Sequence, residues 1–144
     1  MRRREFITLL GGATAWPLAA GAQQPKRPPV VALVFAAAPM AEMVGPDPVN
    51  RVARAFVHAL HQFGWIDGQT VVIERRTAEG EPQRAPVLYA NLLARGVDVL
   101  VLASARWLHE AAQQATRTIP IVADFQDDPV AAGLISSLAR PVAI

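Results

Sequence analysis

Few side chains in this chain are spaced for chemistry. His58 and His61 lie three apart and could clip a metal ion from one helix face, but no further ligand accompanies them, and a solvated face is the simpler reading. The run His109-Glu110-Ala111-Ala112-Gln113 lacks the second histidine of a zinc-protease helix. Asp124, Asp127 and Asp128 do not have the spacing of a calcium loop. No serine, histidine and aspartate set carries a recognisable nucleophile turn. Gly11-Gly12 is not a phosphate loop. There is no cysteine, which removes disulfides, thiolate metal sites and a cysteine nucleophile. The residues therefore imply no metal or other cofactor, and they suit holding a molecule better than transforming one.

The elements that must position these residues follow from hydrophobic periodicity. Val30 to Phe35 is a continuous apolar run rich in β-branched residues, the pattern of a buried parallel strand. A loop from Ala36 to Val49 follows, broken by Pro39, Gly45, Pro46 and Pro48. Asn50 can cap a helix reaching about Phe63, with Val52, Ala55, Phe56, Ala59, Leu60 and Phe63 on one face and Gly64 at its end. After an Asp67-Gly68 turn, Val71 to Ile73 reads as a second strand with Glu74-Arg75-Arg76 as its polar exit. Glu81-Pro82 opens a second helix, ended by Arg95-Gly96. Val97 to Ala103 is a third strand, Arg106 to Thr116 a third helix, and Ile119 to Ala123 a fourth strand. Asp128-Pro129 starts a fourth helix running through Leu138. Strands alternating with helices predict an α/β fold, a parallel sheet with helices on both faces.

The first residues address the compartment. Arg2, Arg3 and Arg4 precede a largely apolar stretch from Phe6 to Ala20, and Ala20-Gly21-Ala22 is a small-x-small cleavage site. The apolar stretch is shorter than the ~20 residues a spanning helix needs. Arg3-Arg4-Glu5-Phe6-Ile7 resembles the twin-arginine export pattern, with Thr8 where lysine is usual. Residues 1–22 are accordingly expected to be a signal peptide, 23–29 a linker, and the protein periplasmic, or tethered to the membrane if the signal stays attached. Removing three of the 14 basic and one of the 12 acidic residues with the signal leaves no formal net charge, so nucleic acid is not an expected partner. A hydrophobic fraction of 52% supports a packed core in one domain.

The stretch Gly64-Trp65-Ile66-Asp67-Gly68-Gln69-Thr70-Val71-Val72-Ile73-Glu74 resembles a segment of the ABC transporter substrate-binding proteins. So do Thr118-Ile119-Pro120-Ile121-Val122 and the series Asp128-Pro129-Val130, Gly133-Leu134-Ile135 and Ser137 to Pro141. The resemblance implies one lobe of a type I periplasmic-binding-protein fold over residues 30–141, a small solute such as an amino acid as ligand, ABC permease subunits and the twin-arginine machinery as partners, and no enzymatic turnover. It also implies a second lobe; residues 142–144 would end the chain near the first crossing between lobes.

In such sheets ligands bind beyond the carboxyl ends of the strands. Three loops qualify: Ala36 to Asn50, Ser104 to Trp107, and Asp124 to Asp128. Helix starts beside them suit a carboxylate and aspartates suit an amine. The candidate ligand contacts are Ser104, Asp124 and Asp127; Asp128 reads as a cap, and Trp107 as either a stacking surface or a half-buried helix aromatic. Relatives often carry hydroxyl residues where this chain has Ala36-Ala37-Ala38-Pro39, and a Gly-rich turn where it has Ser104-Ala105-Arg106-Trp107. An exported enzyme on a flavodoxin-like fold and a non-functional gene fragment are the competing readings.

Overall fold

The structure is a computed structural model that describes residues 27–103, 105–124, 128–133 and 135–139. The signal positions Arg3, Arg4, Phe6, Ala20 and Ala22 and the candidate contacts Ser104 and Asp127 lie outside the described residues.

Four strands form one sheet: β1 (Val30–Phe35), β2 (Val72–Thr77), β3 (Val99–Ala103) and β4 (Ile121–Ala123), in the order β2-β1-β3-β4. All three neighbouring pairs are parallel, with Val30 opposite Val72, Val31 opposite Val99 and Leu100 opposite Ile121. Parallel neighbours need crossovers. These are supplied by α1 (Arg51–Gln62), α2 (Ala85–Ala94) and α3 (Arg106–Ala115). Ala32 to Phe35 of β1 are all buried, as expected of a central strand covered on both faces.

Alternation along the strands sorts the core into two halves. Ala32, Val34, Leu100 and Leu102 face α2 and α3, packing with Tyr89, Leu92, Leu108 and Ala112. Tyr89 is fully buried, and its hydroxyl donates to the Leu108 carbonyl at 2.9 Å, tying α2 to α3. Burial pushes its phenol far above the ordinary value. Leu33, Phe35 and Ile73 face the other way, toward Ala53 and Val57 of α1 and toward Met43 in the loop after β1. The helices on both faces match the periodicity. Asn50 caps α1 as its residue type requires, Oδ1 accepting from Val52 N and Ala53 N at 3.0 Å each. At the other end Gly64 takes φ +83°, and Trp65 N donates back to the Leu60 carbonyl at 2.9 Å.

Two expectations are corrected. β2 does not stop at Ile73 but runs on through Glu74, Arg75 and Arg76. As an edge strand it tolerates charge, and its charges are paired: Glu74 with Arg76 at 2.7 Å and with Arg95 at 3.4 Å, Arg75 with Asp67 at 2.8 Å. The fourth helix is absent among the described residues: 129–133 form a turn and 135–139 are not helical. Asp128 caps that turn, accepting from Val130 N at 2.9 Å, but Gly133 then adopts φ +71°, which a right-handed helix cannot continue through. Smaller differences trim the strands: β3 begins at Val99 and β4 at Ile121, and a short 3-10 turn over Pro82–Arg84 precedes α2.

Candidate functional site

The strand order places the candidate site. From β1 the chain moves to β2 on one side, while β3 lies on the other. The loops leaving β1 and β3 at their carboxyl ends therefore part, and it is in the crevice at such a switch point that open α/β sheets bind their ligands. Phe35, Ala103 and Ala123 end the strands there.

The loop from Ala36 to Asn50 is built rather than slack. Gly80 N donates to the Ala36 carbonyl at 2.7 Å and Ala78 N to the Phe35 carbonyl at 3.0 Å. A 3-10 turn over Met40–Glu42 drives Met43 fully into the core. Asn50 N closes the loop on the Glu42 carbonyl at 2.8 Å. Arg54 reaches back from α1, Nε to the Pro48 carbonyl at 2.7 Å and an Nη to the Val49 carbonyl at 3.1 Å.

The helix starts at the crevice differ. Asn50 occupies the first N–H groups of α1 with its own side chain. Ala105, in extended backbone before α3, has no such side chain to offer, and no side-chain cap is formed there among the described residues. The N–H groups at the start of α3 are thus the better placed to meet a carboxylate.

Asp124 directly follows β4. Its backbone N–H donates to the Leu102 carbonyl at 3.4 Å, and the residue is exposed. Its charge is felt by His109, which lies buried on α3 at 4% exposure. Burial lowers the His109 pKa; Asp124 and then Glu110 oppose that, and the net direction is down. Arg106 pairs with Glu110 at 2.9 Å and donates to the Ala132 carbonyl at 3.4 Å, joining the start of α3 to the segment after β4.

Of the candidate contacts, Asp124 stands at the carboxyl end of β4, while Ser104 and Asp127 fall outside the described residues. Asp128 is a cap, as its type suggested. Trp107 is half-buried against the α2–α3 core, the structural of its two readings. His58 is exposed and 3.2 Å from Asp47, and no metal-holding group of three or more such side chains occurs among the described residues. Three residues were not singled out for the role they play: Arg54 and Arg75, which hold the loop, and His109, considered only as half of a zinc motif. Arg75 carried a signal, a charge two residues after Ile73 where alternation calls for an apolar side chain.

A separate cleft of about 410 Å³ lies beside α1 and the β2 edge, lined by Val57, His58, His61, Trp65, Ile66 and Ile73 among others. It lies toward the amino end of β2, beside Asp67 and Ile73, and Pro46 of the loop after β1 also lines it, whereas the strand order parts the loops at the carboxyl ends.

Residues 39–144 match the family described as ABC transporter substrate binding protein. The chain belongs to that family. A tyrosine-binding protein of Clostridioides difficile strain R20291 is 28% identical over 102 residues, which are 71% of this chain and 29% of that protein. The ligand-free, open structure of a Clostridium difficile substrate-binding protein with adhesive properties superposes with a TM-score of 0.65 at 25% identity, covering 78% of this chain and 36% of the other. The ABC domain of Streptococcus pneumoniae in complex with L-Trp does so at 0.64 and 21%, covering 79% and 36%, a likeness of fold. The chain thus spans about a third of the length of these relatives. No described helix is long and apolar enough to cross a membrane.

Proposed function

We propose that this chain carries the first α/β lobe, residues 30–141, of an exported binding protein for an ABC uptake system, and that its solute is an amino acid or a close analogue. The observation that carries the reading is the parallel β2-β1-β3-β4 sheet of a substrate-binding family, with its crevice between the loops after β1 and β3. The tyrosine and L-Trp named for the two relatives support the solute class. The amino terminus, with Arg3, Arg4 and Phe6 before a cleavage site at Ala20 and Ala22, supports twin-arginine export to the periplasm, where permease subunits would receive the solute. Ser104, Asp124 and Asp127 would meet the ligand from the strand ends, the aspartates facing its amine while the start of α3 faces its carboxylate. The family and the lack of a nucleophile constellation favour reversible binding over turnover.

A solute held on one wall stays half solvated, whereas small-molecule sites bury most of their ligand. Residues 23–144 by themselves should bind weakly. The test is an NMR titration of those residues with L-tyrosine and L-tryptophan. Fast-exchange shifts concentrated in Ala36 to Ala38, Ala105 to Trp107 and Asp124 are expected. Shifts confined to other surfaces, or none at millimolar ligand, would sink the reading; sub-micromolar affinity would contradict its one-walled site.

A further inference from the structure

Arg75 is a charged side chain on an inward position. It shares the sheet face of Ile73, two residues earlier, and its side chain is only 10% exposed. One Nη donates to Asp67 Oδ2 at 2.8 Å and to the Ile73 carbonyl at 3.2 Å. The other donates to the Gly45 carbonyl at 3.3 Å, thirty residues away in the loop that leaves β1. The Nε–H is buried with no acceptor among the described residues. The side chain's position makes sense through what its outer nitrogens reach.

Asp67 is itself fixed to the sheet. Its Oδ1 accepts from Ile73 N at 2.9 Å. The turn that carries it is closed by Thr70, whose Oγ1 accepts from Ile66 N at 2.7 Å and donates to the Gly64 carbonyl at 2.9 Å. The Gly64–Glu74 stretch, which lies away from the crevice, is therefore a rigid anchor. Arg75 extends that anchor to Gly45, while Arg54 grips the far end of the same loop at Pro48 and Val49.

We propose that Arg75, oriented by Asp67, is a positioning residue for the ligand loop Ala36–Asn50, holding the Gly45 carbonyl so that the carboxyl end of β1 presents a set geometry to the crevice. The role rests on the reading of that crevice as the solute site. Arginine suits it because a planar fork of donors spans a carboxylate and a carbonyl at once, which a lysine ammonium cannot do.

That difference supplies the test. Arg75→Lys retains a cation beside Asp67 and gives up the reach to Gly45; Arg75→Met gives up both. Amide hydrogen exchange is measured on wild type and both variants, together with the thermal midpoint and the affinity for L-tyrosine and L-tryptophan. In Arg75→Lys, amides of Val44 to Asn50 should exchange about tenfold faster, the loss of one charge-assisted hydrogen bond. The midpoint should stay near wild type and affinity should fall several-fold. Arg75→Met should show the same loop effect with a lowered midpoint. Unchanged exchange over those amides in Arg75→Lys overturns the tether, as does acceleration spread evenly over the chain. A wild type that takes neither amino acid overturns the site reading and with it the loop's role, a failure visible without any variant.

Discussion

The two faces of the sheet are held by different forces. On one, α2 and α3 close an apolar core around Tyr89, Leu92, Leu100 and Leu108, with a single buried side-chain hydrogen bond between the helices among the described residues. On the other, α1 packs through Ala53 and Val57, and much of the remaining order is polar: Asn50 on the helix start, Arg54 and Arg75 on loop carbonyls, Asp67 on the β2 backbone. Apolar packing is non-directional and fixes helices through area. Although the loop after β1 is rich in alanine, valine and proline, it buries only Met43 and Pro48, so it gains little such area and hydrogen bonds to particular carbonyls set much of its geometry. The face that carries the loop after β1 is thus the one whose order depends on named polar contacts.

Truncations on the two faces should separate them. Leu100→Ala removes a fully buried side chain from the α2–α3 core and should cost ~2–5 kcal/mol in urea melts. Val57→Ala removes two methyl groups beneath α1 and should cost roughly 1.5 kcal/mol. Equal losses would break the contrast between a packed face and a tethered one.

Asn50→Ala should cost ~1 kcal/mol by freeing the Val52 and Ala53 N–H groups at the start of α1. Faster amide exchange should be confined to the first turn of α1 and the end of the loop before it. Exchange changes reaching α2 or α3 would show that the faces are coupled, not independent.

The smallest expected effect is one of pH. His109 has a folded-state pKa below its ordinary value because burial disfavours the imidazolium, with Asp124 and Glu110 opposing. Above ~6.5 the imidazole is neutral in both states and stability does not depend on it. As pH falls below that, the unfolded chain takes up a proton that the folded chain resists, and stability declines until the folded pKa is reached. The thermal midpoint should therefore drop over that acidic window. His109→Gln should flatten the drop, and Asp124→Asn should deepen it by removing an opposing charge. A midpoint profile identical in His109→Gln would show that the residue does not couple protonation to folding.

Much of the fold was open to a reader of the sequence because it rests on local patterns. Continuous apolar runs mark the strands Val30–Phe35 and Val99–Ala103, helical spacing marks Arg51–Gln62, and Asn50 and Gly64 punctuate that helix through their own backbone and side-chain chemistry. Alternation of strand and helix then implies parallel neighbours, since only crossovers can join them. The resemblance of the Gly64–Glu74 stretch to a transporter-associated family could also be read, but not its work as an anchor.

Tertiary structure decided what depends on distant partners. The charged half of β2 is a strand because β1 offers it a ladder and Asp67, Arg76 and Arg95 pair its charges. The turn at Gly133 overrode a helical pattern because one backbone angle takes the wrong sign. The crevice itself exists only once β3 settles beside β1 instead of β2, and the grip of Arg75 on Gly45 joins residues thirty positions apart. Propensity and periodicity act over a few residues, whereas strand order and a guanidinium's choice of carbonyl are settled by which segments the folded chain brings together.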